Sequence, residues 1–343
     1  MRFTKKSLII AAVLFIVFFM LSTYKMPYYV NKPGLADDLT DIVNVEDGHS
    51  AKGSLHLVTI SSGQATPINY LTAKLMPHHD IVPMKEARNG MSDELYMQHQ
   101  MFMMENSQHA AMVVAYEAAD KEVEIIPDGV HVIQVEDDMP AEGKVKAGDK
   151  ITAIDGEKIK DAESLTDYVK EKQEGDVIEL DIERDDETLQ EKVDVAPLEE
   201  KDKVGIGIRL VTDEEIEVDP DMSFDSGKIG GPSAGLMFSL EVYNQLTDED
   251  ITNGKNIVGT GEIDQEGNVH PIGGIDKKVV AADKEGADIF FAPYEDGKEG
   301  SNYEVAKETA DNIHSDMDVV PVDSFQDALD YLTEQETITE AAS

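Results

Sequence analysis

Two stretches of the sequence carry residues that could perform nucleophilic chemistry, and the first surrounds Ser233. This serine follows a Gly-Gly-Pro turn and precedes apolar residues at helical spacing, Leu236, Leu240 and Tyr243. The pattern predicts that Ser233 lies at the amino end of a helix, where unpaired N–H groups and the helix dipole stabilise negative charge. A serine that only caps the helix is the alternative.

The second stretch surrounds Lys278 in a predicted helix that begins at Ile275. Lys278 shares a face with the apolar residues Ile275, Val279 and Ala282 and is predicted to point inward, whereas Lys277 is predicted to be solvated on the other side. Burial lowers the pKa of a lysine, and a neutral amine can take a proton from a serine. Alternatively, the Lys278 side chain reaches past its neighbours to water.

Three motifs occur in a fixed order: GGPSAG at 230–235, TGEI at 260–263 and PIGGIDKKVVAA at 271–282. Together they resemble the proteolytic domain of Lon-type serine proteases. The resemblance implies a Ser-Lys dyad in which Ser233 is the nucleophile, Lys278 is the general base and Thr260 orients the lysine. Gly230 departs from the family, which often has an acidic residue there. A triad through His270 is disfavoured because the sequence reveals no supporting acid.

The amino-terminal segment has the pattern of a membrane anchor. Residues 7–24 are uncharged, and Arg2, Lys5 and Lys6 precede them. We predict a transmembrane helix at 7–24, with residues 1–6 in the cytoplasm and the catalytic part outside the cell. A cleaved signal peptide is the alternative, but no small-x-small cleavage site follows. Residues 25–49 are predicted to be a stalk.

An insertion is predicted within the catalytic domain. Residues 50–120 are the predicted first part of a Lon-type domain, and residues 200–335 are its catalytic part. Between them, residues 121–198 carry the run KAGDKITAIDG and resemble a PDZ domain. That resemblance implies a peptide groove, placed here between residues 129–135 and 162–170. A closed groove is the alternative.

Composition excludes several partners and cofactors. A net charge of −42, from 71 acidic and 29 basic residues, would repel nucleic acid. The absence of cysteine excludes disulfides and thiolate metal sites. Methionines from Met97 to Met112, with His99 and His109, leave open a soft-metal sensor, but helical methionine is more often core. We expect no metal and no cofactor.

The sequence therefore predicts a mixed α/β (α+β) protein with a Lon-type domain, a PDZ domain and one transmembrane helix. The predicted activity is that of a membrane-anchored, extracytoplasmic serine endopeptidase that cleaves peptides or small exported or membrane proteins. No G-x-x-x-x-G-K-[ST] phosphate loop is present, so cleavage is expected to need no ATP. The resemblance also implies possible homo-oligomers. A non-catalytic, membrane-tethered PDZ adaptor for peptides is the alternative.

Overall fold

The structure, a computed structural model, describes residues 5–88, 91–184, 187–198 and 203–342. Residues 1–4, most of the predicted cytoplasmic segment, lie outside the described residues. Buried apolar side chains form separate cores in two parts of the chain. We call residues 26–128 and 213–334 the body, and residues 129–212 the insert.

The described residues form a mixed set of helices and strands, and two short 3-10 turns at Leu39–Asp41 and Glu295–Gly297. The helices are α1 (Lys5–Thr23), α2 (Pro67–Ala73), α3 (Met84–Ala87), α4 (Asp93–Ala118), α5 (Ala162–Lys170), α6 (Gly235–Leu246), α7 (Ile275–Glu285), α8 (Asn302–Ile313) and α9 (Phe325–Ala342). The strands are β1 (Tyr28–Asp38), β2 (Val43–Val45), β3 (Ser54–Gln64), β4 (Asp80–Pro83), β5 (Glu122–Val135), β6 (Lys150–Ile154), β7 (Glu157–Lys158), β8 (Val177–Arg184), β9 (Glu187–Asp194), β10 (Ala196–Pro197), β11 (Val204–Gly205), β12 (Ile208–Asp219), β13 (Met222–Phe224), β14 (Asn256–Gly259), β15 (Glu262–Ile263), β16 (Val269–His270), β17 (Ile289–Pro293) and β18 (Asp318–Val322).

The body is built on one sheet with the strand order β18-β17-β14-β3-β1-β4. The first four strands are parallel, and β1 runs antiparallel to both of its neighbours. Strand β17 is buried throughout: Phe291 joins the core that contains α4, α6 and α9, whereas Phe290 joins the core that contains α7 and α8. Helices therefore cover both faces of the sheet, which explains the continuous apolar run of β17.

The insert has its own antiparallel sheet, in the order β12-β5-β6-β8-β9. Strands β5 and β12, with 14 and 12 residues, run from the body into the insert as one antiparallel ribbon. Their register shifts between Thr212 and Glu214, near Gly129, whose φ of 117° requires glycine. The mixed α/β class that we predicted is confirmed.

The predicted stalk at 25–49 is wrong in its larger part, because residues 28–38 form β1 of the body sheet. Strand β1 pairs with β3 from Tyr29 opposite Gln64 to Asp38 opposite His56. The register shifts just after Pro33, and a side chain on Gly34 would meet the backbone of Thr59. The proline and glycine that indicated a stalk mark an irregularity in a strand instead.

The predicted transmembrane helix at 7–24 coincides with helix α1, which covers 19 residues and begins with two lysines. Its apolar side chains from Leu8 to Leu21 are largely exposed. Among the described residues, no helix combines the length and the apolarity that crossing a bilayer requires. The structure does not support the predicted span.

The predicted peptide groove beside residues 129–135 is also wrong. Strand β12 occupies that position, with Ile208 opposite Val135 and Thr212 opposite Val130. The N–H of Ala162, the first residue of α5, donates to Thr212 Oγ1 at 3.1 Å. Strand β12 therefore lies next to α5 at the edge of the insert sheet. The sequence did not reveal this because β12 follows the segment that we assigned to the insertion.

Candidate active site

Ser233 lies two residues before α6 and is partly buried, as predicted for a serine near the amino end of a helix. Helix α4 holds the turn before it. The Gly231 N–H donates to the Gln100 carbonyl at 2.8 Å, and Ser107 Oγ donates to the Pro232 carbonyl at 2.8 Å. A Cβ on Gly230 would lie 2.9 Å from Gln100 Cβ. The tight packing of α4 therefore explains why this chain has glycine at residue 230.

Lys278 lies in the first turn of α7. The helix is preceded by Gly274, whose φ is 68° and whose missing side chain leaves room for Ile60. Lys278 is 3% exposed, which confirms the inward orientation predicted from the helical face. The alternative, in which the side chain reaches water, is wrong. Burial lowers the pKa of Lys278 to about 7, because the charged ammonium loses its hydration.

The side chains of Ser233, Thr260 and Lys278 meet in one hydrogen-bonded cluster. Lys278 Nζ lies 2.6 Å from Ser233 Oγ and 2.8 Å from Thr260 Oγ1. The Thr260 hydroxyl donates its one proton to the Ser233 carbonyl at 2.9 Å. Thr260 Oγ1 can therefore only accept from Lys278. In a neutral amine, this bond uses one N–H and leaves the lone pair free for the Ser233 hydroxyl.

The prediction for Lys277 is wrong, since its side chain is 2% exposed. Lys277 Nζ donates to Asp276 Oδ1 at 3.0 Å and forms an ion pair with Asp80. His78 Nδ1 lies 3.3 Å from the same Asp276 carboxylate. The helical wheel missed this cluster because it considers α7 alone. In the folded body, the segment that leads into β4, with His78 and Asp80, covers a second face of α7. No local sequence pattern connects Asp80 to a lysine nearly two hundred residues later.

His270 has an acidic partner that the sequence did not reveal. Its Nε2 lies 2.8 Å from Asp264 Oδ2, and the side chain is 49% exposed. The group within hydrogen-bonding distance of Ser233 Oγ is nevertheless the Lys278 amine. The geometry favours the lysine over the histidine as the partner of Ser233.

A cleft of about 850 Å³ opens onto the cluster. Strands β1 and β3 form one wall, and the turns around Gly231 and Gly273 form others. A second cavity, of about 620 Å³, also lies against α4, between Met101 and His131 of the insert. Helix α4 therefore contributes to both cavities.

The second cavity is lined by part of the methionine-rich segment for which the sequence allowed a soft-metal sensor as an alternative function. Met97, Met101 and Met104 line it, together with His99. Within the described ranges, no group of three or more His, Cys, Asp or Glu side chains could hold a metal ion. The cluster at Ser233 consists only of a hydroxyl pair and an amine, which suits proton transfer and nucleophilic attack.

Comparisons with known proteins agree with this chemistry. Residues 215–335 match the family model of the Lon protease (S16) C-terminal proteolytic domain, and residues 101–195 match that of the PDZ domain. The Lon protease of Campylobacter jejuni subsp. jejuni serotype O:2 is 33% identical over 102 residues, which are 29% of this chain and 12% of that protein. The Lon protease of Escherichia coli strain K12 is 31% identical over 99 residues, again 29% and 12%.

Among solved structures, the PDZ domain of the SdrC-like protein from Listeria monocytogenes is 38% identical, with a TM-score of 0.24; the match covers 24% of this chain and 88% of that domain. The chain matches only about an eighth of the length of its curated Lon relatives. The two family models match most of the predicted insertion at 121–198 and most of the predicted catalytic part at 200–335. This chain carries a PDZ domain together with a Lon-type proteolytic domain, and these matches support a serine peptidase.

Proposed function

We propose that this protein is an ATP-independent serine endopeptidase in which Ser233 and Lys278 form the catalytic dyad. The observation that carries the proposal is the distance of 2.6 Å between Lys278 Nζ and Ser233 Oγ, at a lysine that is 3% exposed. A pKa lowered to about 7 leaves much of the amine neutral near physiological pH. A neutral amine next to a serine hydroxyl is the arrangement that a general base requires.

In the proposed acylation step, Ser233 Oγ attacks the scissile carbonyl carbon while its proton passes to Lys278 Nζ. The tetrahedral intermediate places its oxyanion near the amino end of α6, where the Ser233 N–H and the helix dipole stabilise negative charge. The Lys278 ammonium then gives the proton to the leaving amine. The peptide bond breaks and an acyl ester on Ser233 remains.

In deacylation, water takes the place of the leaving amine. Lys278 removes a proton from the water, the hydroxide attacks the ester, and the same proton returns to Ser233 Oγ. Thr260 holds the Lys278 amine in position in both steps. Its oxygen accepts a hydrogen bond from Lys278, while its own proton is donated to the Ser233 carbonyl. In this role Thr260 is a positioning residue.

The proposed substrates are polypeptides in an extended conformation. The cleft has apolar walls that include Leu57, Ile60 and Ile272, with Asp37 and Lys228 among the charged side chains that line it. Its volume of about 850 Å³ is in the range of ligand clefts and suits a few residues of extended chain. A folded protein would have to expose a flexible segment.

The proposed role of the PDZ domain is to recruit substrate, and we place its groove between β12 and α5. Strand β12 pairs only with β5 among the described strands, so its other edge faces α5. Tyr168, Ile208 and Leu210 are partly buried apolar residues that pack on the insert core at this place. A peptide added to the edge of β12 would gain backbone hydrogen bonds and apolar contacts.

The location of the protein is a further proposal, which rests on the sequence and on the exposed apolar side chains of α1. We propose that α1 attaches the protein to the membrane and that the body faces the extracytoplasmic side, because Arg2, Lys5 and Lys6 precede the uncharged run at 7–24. Protease added to intact cells should degrade the body if this orientation is correct and should leave it intact if the body is cytoplasmic.

Self-association is implied by the Lon resemblance and also stays a proposal. Light scattering of the full chain in detergent would measure the mass of the assembly. A mass of one chain at the concentration at which the protease is active would contradict it.

The catalytic proposal is tested by degradation of an unstructured reporter protein without ATP. The full chain in detergent should cleave the reporter, whereas Ser233→Ala and Lys278→Ala should each lose about a thousandfold or more in rate. Lys284→Ala is the matched control, because Lys284 is an exposed lysine on the same helix. Lys277 is unsuitable as a control since it is buried in an ion-pair cluster.

Equal cleavage by all four proteins would contradict the dyad and would indicate another protease in the preparation. Absence of cleavage by the wild type, together with binding of peptides by the PDZ domain, would favour the adaptor alternative. The close approach of Lys278 to Ser233 is the observation that speaks against an adaptor with a degenerate protease fold.

A further inference from the structure

Acidic residues are absent from two long segments of this very acidic chain. The chain has 71 acidic residues, yet residues 1–36 and residues 48–79 contain none. Basic residues do occur there, among them Lys25, Lys32 and Lys74. If high acidity were a uniform adaptation of the whole surface, these segments would share it. Their composition indicates a surface that serves another purpose.

The two segments are neighbours in the structure. They supply α1, most of β1, the whole of β3 and α2, and β1 pairs with β3 along its length. Helix α1 contacts α2, and α2 contacts β1. The two acid-free segments therefore lie next to each other in the body, near the place where α1 joins it.

This side presents exposed apolar side chains at the end of α2. Leu71, Leu75 and Met76 are 63%, 85% and 53% exposed. Lys74 lies between them, with its Nζ 4.9 Å from the centre of the Tyr70 ring. We call Leu71, Lys74, Leu75 and Met76 the α2 patch. Three large apolar side chains and a lysine that forms no ion pair with the described acidic residues are the composition of a surface that binds at the boundary of lipid headgroups and acyl chains.

The α2 patch is held close to the end of α1 by hydrogen bonds. The Met26 N–H, three residues after α1, donates to the Ala65 carbonyl at 2.9 Å. Gln64 Nε2 donates to the Met26 carbonyl at 3.1 Å. Helix α2 begins two residues after Ala65, and its Tyr70 ring packs against Tyr28 with 5.3 Å between centroids. The patch therefore cannot move far from α1.

We propose that the α2 patch docks on the surface of a bilayer that contains anionic phospholipid. The leucines and Met76 enter the boundary between headgroups and acyl chains, and Lys74 meets lipid phosphate. Helix α1 contacts α2 and has exposed apolar side chains of its own, which favours lipid over a protein partner. Tyr29, at the same end of β1, lines the cleft, so docking also brings that end of the cleft towards the membrane. The inference is independent of the proposed catalysis.

The test uses the absence of tryptophan from the chain, which makes any introduced tryptophan a single reporter. We would place the full-length Leu75→Trp variant in vesicles of phosphatidylcholine and phosphatidylglycerol with brominated acyl chains, which quench nearby tryptophan. Val177→Trp is the control, because Val177 is 55% exposed on the insert, and Phe15→Trp reports on α1. We expect the Leu75→Trp emission to fall about twofold, since interfacial side chains reach ~5–10 Å into the boundary. The control emission should not change.

Each outcome decides the proposal. Quenching of Phe15→Trp without quenching of Leu75→Trp would overturn docking and leave attachment through α1 standing. Quenching of neither would overturn both, and quenching of Leu75→Trp alone would support docking without α1. A blue shift of Leu75→Trp that brominated lipid does not quench would indicate a protein contact, such as a second copy, and would also overturn docking.

The contribution of charge has its own control. Adding Lys74→Glu to Leu75→Trp should reduce quenching in vesicles that contain phosphatidylglycerol more than in phosphatidylcholine alone. Lys192→Glu, on an exposed side chain of the insert, should have no such effect. An equal reduction in both lipids would contradict recognition of anionic phospholipid.

Discussion

Two adjacent lysines on α7 are buried to the same extent but in opposite surroundings. Lys278 is 3% exposed and its hydrogen-bond partners are hydroxyl groups, whereas Lys277 is 2% exposed and lies between two carboxylates. Hydroxyls do not compensate a positive charge, so burial lowers the pKa of Lys278 to about 7. Carboxylates do compensate it, so Lys277 serves as a structural cation. Burial alone therefore does not produce a general base; the chemistry of the neighbours decides.

The largest effect is expected when the difference between the two lysines is removed by making residue 278 a permanent cation. Lys278→Arg keeps hydrogen-bond donors at this position, but a guanidinium stays charged because it does not lose its proton in proteins. We expect kcat/KM for reporter cleavage to fall about a thousandfold or more. Lys284→Arg, on the exposed face of the helix, should cleave at the wild-type rate. An active Lys278→Arg variant would mean that Lys278 acts only as a charge.

Removing the hydroxyl that orients Lys278 should have the next largest effect. Thr260→Val preserves the shape but loses the acceptor for the amine and the bond to the Ser233 carbonyl. Because small displacements of catalytic groups are costly, kcat should fall about 10- to 100-fold while KM changes little. Thr260→Ser, which keeps the hydroxyl, should retain most of the activity. Equal rates for the two variants would show that the hydroxyl does not position the lysine.

Changing the structural lysine should affect stability more than catalysis. Lys277→Met leaves the Asp276 and Asp80 carboxylates without the lysine that neutralises both. Because Asp80 is 56% exposed, we expect a loss of only about 1–2 kcal/mol in the free energy of unfolding, measured with urea. Activity should fall less than tenfold. Adding Asp80→Asn should recover part of the loss, and simple additivity of the two changes would argue against a direct interaction.

The smallest effect is a gain in stability when the charge at 278 is removed. The folded-state pKa of Lys278, about 7, lies below the unfolded value of ~10.4, so the unfolded chain binds more protons between these values. The wild type should therefore gain stability as pH rises through this window. Lys278→Met lacks this dependence, which amounts to about 4–5 kcal/mol at pH 6, but it also loses the hydrogen bonds to Ser233 and Thr260. We therefore expect a net gain of about 1–2 kcal/mol over the wild type at pH 6. A less stable variant would indicate that burial of the lysine is not unfavourable.

The sequence predicted the parts of the site that depend on local pattern. Helical spacing placed Lys278 inward, and the turn before α6 placed Ser233 near a helix end, because both features follow from backbone geometry over a few residues. The contact between Ser233 and Lys278 was predicted from a family resemblance, because no helical or strand periodicity relates positions 45 residues apart. The mixed α/β class followed from the alternation of predicted strands and helices.

The features that the sequence missed depend on distant pairing. Asp80 reaches Lys277 only because β4 and α7 meet in the folded body, and Gln100 supports the turn at Gly231 only because α4 packs there. Strand β1 was mistaken for a stalk since Pro33 and Gly34 are compatible with both. Strand β12 fills the position beside β5 because the ribbon from the body continues into the insert.

The central claim is that Lys278 is neutral when it meets Ser233, and the pH dependence of Ser233 acylation tests it most directly. We would measure kcat/KM for reporter cleavage from acid to alkaline pH in the wild type and in Lys277→Met. The account predicts that the rate rises with pH and levels off above a midpoint near 7 in both proteins, because only the neutral amine accepts the proton. A midpoint near the ordinary lysine value of ~10.4, or one that moves with Lys277, would contradict it.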